Sequence, residues 1–412
     1  MLIWAQAAQD RVRIDSRQDI VIRPVNTVEG FAALRKDWNA LLDVGEDASV
    51  FVSWEWQYHW WRHYGKQHRL RILTAWVDGR LTGILPLYIQ ATTLYRAFRA
   101  NLARFVGTGG DTSPDYLGPL LAPAAAEHTA QAFADYVVDG LAGWDVLDLS
   151  DLSDASRFRR ALAQRCEASG RAYASSVSAR IAYIPLPASW DEYLAGVHRD
   201  RRYTIRSTRK KCETQHGGRF YVWTEEDGID AILDQLIALH HGRWRQKGEP
   251  HAFSSPEYVG FHRDVIHACA RRGWIRFYCL EANGVPLAAF YCYRFRNQIF
   301  YFQGGFNPDY DRLRPGLVLI GYAVEHAILE GNTVFDFLRG EHAYKTQWAK
   351  SLRQTHGVTV YRPGLAAWLY RMRGERIPAA KNWLKQRFPF LLRIRRARDG
   401  HGAEASQDTR DA

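Results

Sequence analysis

The sequence is poor in cysteine, and its few cysteines form no pattern that chemistry would use. Cys166, Cys212, Cys269, Cys279 and Cys292 are odd in number, scattered, and form no C-x-x-C pair. That excludes a zinc ribbon and a disulfide framework. Across a hairpin turning at Asn283-Gly284, Cys279 would face Ala288 rather than Cys292. The five read as reduced, mostly buried thiols. The histidines show no H-E-x-x-H or similar spacing, so no metal is expected. His216-Gly217-Gly218 is similar to a lipase oxyanion loop, yet no G-x-S-x-G accompanies it, which excludes a serine hydrolase. No uncharged apolar run approaches the length of about 20 residues that a spanning helix needs. At the N-terminus, Met1-Leu2-Ile3-Trp4 is soon followed by Asp10, Arg11 and Arg13, which rules out a signal h-region. A cytoplasmic location is expected, with possible contact at the periphery of the inner membrane.

What remains is a chain of 412 residues, nearly half hydrophobic and with 15 Trp, enough for two domains plus a tail. Its charge balance, 55 − 44 = +11, favours anionic partners.

The second half reads most clearly. Ser189-Trp190-Asp191-Glu192 is a capping box that opens a helix ending at Gly217-Gly218. A second helix runs from about Asp227 to Lys247, and a third from Pro256 to Gly273. Trp274 to Leu280, the Asn283-Gly284 turn and Leu287 to Phe295 form a hairpin. Ile299 to Gln303 adds a strand, Gly316 to Leu329 a helix, and Thr333 to Leu338 a last strand. This order is α+β.

The first half repeats it coarsely. Leu70 to Val77, Asp78-Gly79 and Leu81 to Tyr88 make a hairpin; a helix near Ala125 to Leu141 and the strand Trp144 to Leu149 follow. Gly109-Gly110 before Pro114-Asp115-Tyr116 echoes Gly304-Gly305 before Pro308-Asp309-Tyr310. Val146-Leu147-Asp148-Leu149 echoes Val334-Phe335-Asp336-Phe337. Both echoes fall in the same order, which supports duplication.

Only the second copy continues into reactive residues. After Phe335-Asp336-Phe337-Leu338 come Arg339-Gly340-Glu341-His342-Ala343-Tyr344-Lys345-Thr346-Gln347-Trp348. An Asp inside an apolar strand is costly to bury without a donor, and Arg339 or Lys345 can supply one. A structural ion-pair network under a loop is the alternative. Arg199, Arg202, Arg206 and Arg209 line one helix face at spacings of three and four, either as a solvated face or as an anion-binding ridge. Phe51, Trp54, Trp56, Tyr58, Trp60 and Trp61 read as core packing, with a sugar-stacking surface as the alternative.

The embedded Asp, then Leu-Arg-Gly-acid, then Tyr-Lys and a Trp resemble the closing motif of the GNAT-fold acetyltransferases found with cellulose and exopolysaccharide biosynthesis genes, the BioF2-like type. The segment is also similar to part of the Fem peptidyltransferases. The resemblance spans residues 20 to 362 and is most specific from Leu287 to Trp348. It implies two tandem GNAT-like α+β domains, each a mixed sheet flanked by helices. After an extension, 1–20, the first domain covers 21–185, the catalytic one 186–362, and a basic tail 363–412. It implies acyl transfer from acetyl-CoA or another acyl-CoA to an amine or hydroxyl, on a saccharide or other small acceptor.

Residue roles follow from the same resemblance. Glu341 or His342 would act as base and Tyr344 would reprotonate the leaving thiolate. Gly304, Gly305, Arg312, Arg314 and Gly316 would hold the donor. Asp336, Arg339, Lys345, Arg202 and Arg206 would bind substrate. The usual pyrophosphate loop, Gln/Arg-x-x-Gly-x-Gly/Ala, is reduced here to Gly316 behind Pro315. Two alternatives therefore stay open: a Fem-like transferase taking aminoacyl-tRNA, and a non-catalytic nucleic-acid-binding or scaffold protein. The tail interleaves Trp368, Leu369, Trp383 and Phe388 with Arg371, Arg373, Lys385 and Arg387. That pattern suits an anionic membrane surface, or an apolar face packed back on the protein.

Overall fold

The computed structural model describes residues 20–95, 98–245, 252–340 and 343–373. The first half contributes β1 (Val21–Val25), α1 (Val28–Ala33), α2 (Arg35–Val44), α3 (Trp54–Tyr64), β2 (Arg69–Val77), β3 (Arg80–Leu94) and β4 (Phe98–Phe105). It continues with β5 (Leu120–Leu121), α4 (Ala126–Asp135), β6 (Val146–Ser153), α5 (Arg157–Ala168) and β7 (Ala172–Pro185). The second half supplies α6 (Trp190–Ala195), α7 (Arg199–His216), β8 (Gly218–Trp223), α8 (Ile229–Arg245) and α9 (Pro256–Ala270). Then come β9 (Ile275–Ala282), β10 (Val285–Phe295), β11 (Gln298–Phe306), α10 (Pro315–Leu329), β12 (Val334–Asp336), α11 (Ala343–Trp348) and β13 (Ser351–Tyr361).

The strands form one mixed sheet in the order β1-β2-β3-β4-β6-β13-β7-β12-β11-β10-β9-β8, with β5 paired to β3. In the first half β1, β2, β3 and β4 pair antiparallel in turn, and β4 then pairs parallel with β6. Strands β8 to β12 repeat that sequence of directions. The duplication is therefore visible in topology. Each copy turns its first hairpin with two residues at positive φ, Asp78-Gly79 and Asn283-Gly284, the local chemistry of a tight two-residue turn.

The two copies exchange their next strands. β7, which follows β6 in the chain, pairs with β12 of the other half; β13 pairs with β6. β7 and β13 also pair with each other from Ser351↔Tyr183 to Tyr361↔Ala172, closing the sheet across the middle. The larger core joins α2, α3, α4 and α5 to α8 and α9, with Trp38, Trp56, Phe133, Leu236 and Phe261 inside. A smaller core lies between the second half's strands and α6, α7, α10 and α11.

Two local expectations need correction. The helix opened by Ser189 stops at Ala195, and a new one starts at Arg199. Gly196 weakens the helix there and the His198 ring accepts from the Asp200 N–H, capping a fresh start. Cys279 pairs with Ala289 rather than Ala288, because a bulge between Pro286 and Ala288 shifts the register by one. The aromatic cluster is core packing as read: Trp54, Trp56, Trp60 and Trp61 are buried and offer no sugar-stacking surface. All five cysteines are buried free thiols.

The tail is described only at its start. A helix begins at Leu365, with Ala367 buried and Tyr370 Oη donating to Asp148 Oδ2 at 3.4 Å. Leu365 and Trp368 stay exposed, at 58% and 56%. Trp383, Lys385, Arg387 and Phe388 lie outside the described residues. Among the described residues no helix is long and apolar enough to cross a membrane.

Candidate active site

The parallel pairing of β11 and β12 lasts three residues, ending at Phe300↔Asp336. Beyond it β11 runs on to Phe306, while the Phe337 N–H stays with β7 through Ala182 O at 3.0 Å. The two strands split, and a cleft of about 270 Å³ opens on the α10 side. Its lining includes Gly304, Gly305, Arg314 and Gly316 from the donor set, and Tyr344 from the catalytic set. Arg312 is exposed and is not among the lining residues.

Sterics explain the glycines. A Cβ on Gly304 would lie 2.3 Å from Tyr301 Oη, and one on Gly305 2.5 Å from the His240 backbone N. Gly305 thus lets α8 press directly on β11. Arg314 sits at φ 50, ψ 53 as the N-cap of α10, with Pro315 in the first turn. Its carbonyl already accepts from Leu317 and Val318 N–H at 2.9 and 3.1 Å. Few backbone donors are left there for an anion, so side chains must carry the charge. Arg201 provides a second one: it lines the same cleft and lies over the Trp348 ring at 5.0 Å. Burial pushes the Arg201 guanidinium down from its ordinary value, and the Arg314 charge adds to the push. The two guanidiniums outnumber the single carboxylate of the lining, Asp311, and favour an anion between them.

The predicted ridge is turned differently. Ile205 and Cys212 fix the buried face of α7, which points Arg201 at the cleft. Arg202 and Arg206 do not line it; Arg206 pairs with Asp191 at 3.6 Å, both exposed.

Residues alternate across a strand, so Phe300 and Asp336 face the opposite side from Tyr301. There a second cleft of about 270 Å³ lies between the halves, lined by Tyr116, Ser153, Gln298, Phe300 and Arg353. Asp336 is fully buried beneath it. Its Oδ2 accepts from Tyr116 Oη at 2.6 Å and lies 3.6 Å from Arg353 Nη1, while Oδ1 accepts from the Leu338 N–H at 2.8 Å. Burial raises the Asp336 carboxyl above its usual range, against the pull of Tyr116, Leu338, Arg353 and Lys345.

Next to it the closing loop is clamped by the first half. Asp115 accepts from the Arg339 backbone N–H at 2.8 Å and from Nε at 2.9 Å; Ser113 Oγ accepts from Nη1 at 2.6 Å. Asp151 takes Nη2. Burial pushes Asp115 up to about 6 although the Arg339 charge opposes it. Lys345 closes the loop from the other side. Its Nζ donates to Phe337 O, Leu338 O and Arg339 O at 2.8, 3.1 and 2.5 Å, and burial lowers it to about 8. Its donors are committed to the loop backbone. Glu341 and His342 lie outside the described residues.

Sequence reading thus missed Asp115, Tyr116, Asp151, Arg201 and Arg353. Asp115 and Tyr116 did stand in the repeated Pro-Asp-Tyr, but nothing local ties them to residues more than 200 positions away. Among the described residues no cluster of His, Cys, Asp and Glu is spaced to hold a metal.

Residues 199–346 match the family described as an acetyltransferase (GNAT) domain. The match falls on the split-strand half. Among solved structures, that of FemX is similar over 82% of this chain and 98% of that one, with TM-score 0.58 at 11% identity. The C-terminal domain of a putative lysylphosphatidylglycerol synthetase from Agrobacterium fabrum gives 0.48 at 12%, over 83% and 96%. A tandem GNAT protein from the clavulanic acid biosynthesis pathway gives 0.42 at 12%, over 84% and 100%. At such identities the likeness concerns the fold alone: a GNAT-type α+β fold. No curated protein matches the chain.

Proposed function

We propose that the protein is an acyltransferase that binds an acyl-CoA thioester in the α10 cleft and an amine or hydroxyl acceptor in the cleft on the opposite face. The observation that supports this most is the split of β11 from β12, which places a doubly cationic cleft and a polar, aromatic-lined one on two faces of one strand pair. Arg201 and Arg314 hold the donor's phosphates with charge-assisted bonds. Backbone N–H groups near Gly304-Gly305 polarise the thioester carbonyl. An amine acceptor arrives as an ammonium, with a pKa of about 10, and must lose a proton before attack. Glu341 or His342 takes it, and Tyr344, beside the donor cleft, returns one to the leaving thiolate. The hydroxyls and rings of the acceptor cleft suit a saccharide or its precursor, as in polysaccharide or cell-envelope synthesis.

Arg314→Ala and Arg201→Ala should each raise the acetyl-CoA KM roughly tenfold or more with kcat little changed. Arg312→Ala should not. Steady-state kinetics checks this, and an effect confined to Arg312 would move the donor elsewhere. The shortage of backbone donors at α10 favours a second reading, in which the donor is an aminoacyl-tRNA. Parallel titrations with acetyl-CoA and aminoacyl-tRNA at fixed salt separate the two, and no response to either leaves the non-catalytic reading.

The exposed Leu365 and Trp368, with Arg371 and Arg373 beside them, extend the proposal to peripheral membrane contact. Each basic residue near an anionic surface adds about 1 kcal/mol. Full-length protein should co-sediment with anionic vesicles, and a chain ending at Pro363 should not. Equal partitioning would remove the tail as an anchor.

A further inference from the structure

Away from these clefts, the first half holds a groove of about 630 Å³ where α1 begins, α3 ends and β2 begins. Four cations line it, Arg62, Lys66, Arg69 and Arg71, against one carboxylate, Glu29. Among the described residues none of the four lies within 4.0 Å of a carboxylate oxygen. Two of them are aimed by neutral groups. Arg69 Nη2 donates to Asn101 Oδ1 and to Gly143 O, both at 3.0 Å. Arg71 Nη1 donates to Asn26 Oδ1 at 3.3 Å and to Leu70 O at 2.7 Å. Carbonyl oxygens orient a guanidinium without cancelling its charge. The groove therefore presents net positive charge, four cations against the Glu29 carboxylate, with no direct ion pair to cancel it among the described residues.

Trp61, the one large ring in the lining, is buried at 6% exposure. The half-buried His68 ring packs on Tyr88 at 4.9 Å between centroids, so recognition rests chiefly on charge and on the planar guanidinium geometry. Repulsion among cations held this close falls when one multivalent anion enters. We propose that this groove is a binding site for an anion carrying two or more phosphates, separate from the donor cleft. Free pyrophosphate and a diphosphate borne by a larger ligand share that chemistry.

The test is calorimetric titration of the full chain with inorganic pyrophosphate, with CoA saturating and salt held constant. Pyrophosphate should bind under those conditions. Arg69→Gln/Arg71→Gln should weaken it about tenfold or more, the loss expected for two charge-assisted contacts. Lys66→Gln, a change at an exposed residue, should weaken it several-fold and guards against misfolding of the double variant. Asn26→Ala, which frees Arg71 without altering net charge, should also lower affinity. Adenosine diphosphate should bind no more tightly than pyrophosphate, whereas a strong preference for the nucleotide would overturn recognition by charge alone. So would wild-type affinity in the Lys66 and Asn26 variants, or equal weakening by Arg199→Gln/Arg206→Gln on the distant α7.

Discussion

Replacing Lys345 with Ala should lower stability by about 3–5 kcal/mol and stop turnover, the cost of removing a buried charge that others have been arranged around. The side chain is 4% exposed, and its ammonium is the shared donor for three successive carbonyls, at Phe337, Leu338 and Arg339. Without it those oxygens are stranded, at about 1–3 kcal/mol for each one left unsatisfied. Leu338 also holds a positive φ of 52°, which a non-glycine residue keeps only when its surroundings enforce it. Lys345→Met restores volume but not donors, and should be nearly as damaging. Urea unfolding alongside acyl-transfer assays checks both variants. Wild-type midpoints with wild-type turnover would mean that the loop is held by other groups. The pH dependence has a definite sign. Burial lowers Lys345 to about 8, so from there to about 10.4 the unfolded chain holds the extra proton. Wild type should therefore gain stability relative to Lys345→Met as pH rises through that window.

Arg339→Ala should be comparably severe, at about 3–5 kcal/mol, because it leaves Asp115 and Asp151 facing each other without the guanidinium that pairs with both. Both carboxylates are 2% exposed. Adding Asp151→Asn to Arg339→Ala should recover part of the loss, since one of two like charges is gone. Asp115 is already pushed up to about 6 with Arg339 in place. Losing Arg339 raises it further above its unfolded value of about 3.9. A carboxyl with a raised folded-state pKa stabilises at low pH, and that contribution is lost as pH rises through the folded pKa. The deficit of Arg339→Ala should thus be smallest near pH 5 and grow toward pH 8. Urea midpoints across that range decide it; a flat deficit would show that the Arg339 charge is not what matters.

Local chemistry made much of the fold legible. The Asn283-Gly284 turn, the Ser189 cap and the Pro256 and Pro315 helix starts act within a few residues, and each sits where the pattern places it. Phase was harder. Arg199, Arg202, Arg206 and Arg209 share one face in the pattern, a solvated face or an anion-binding ridge, whereas the buried face set by Ile205 and Cys212 turns Arg201 to the cleft. A single bulge moved the partner of Cys279 by one residue. The contacts between copies were not legible, because the Tyr116–Asp336 hydrogen bond spans 220 positions and no local pattern encodes it. The asymmetry of the copies was visible as the presence of Arg339, Tyr344 and Lys345 after only one of two similar strands.

The crossing of β7 and β13 makes the halves hostages of each other. A fragment cut to residues 199–346 would contain neither strand, although both flank the middle of the sheet. It would leave β12 as a bare edge with unpaired N–H and C=O groups, a template for aggregation. Ending the chain after Pro185 would strand β7 without β12 or β13 and uncover β6. With this exchange in place, removing or transplanting either half alone would break strand pairing in the other. The second copy depends on the first whatever chemistry either carries, because it borrows a strand and two carboxylates from it.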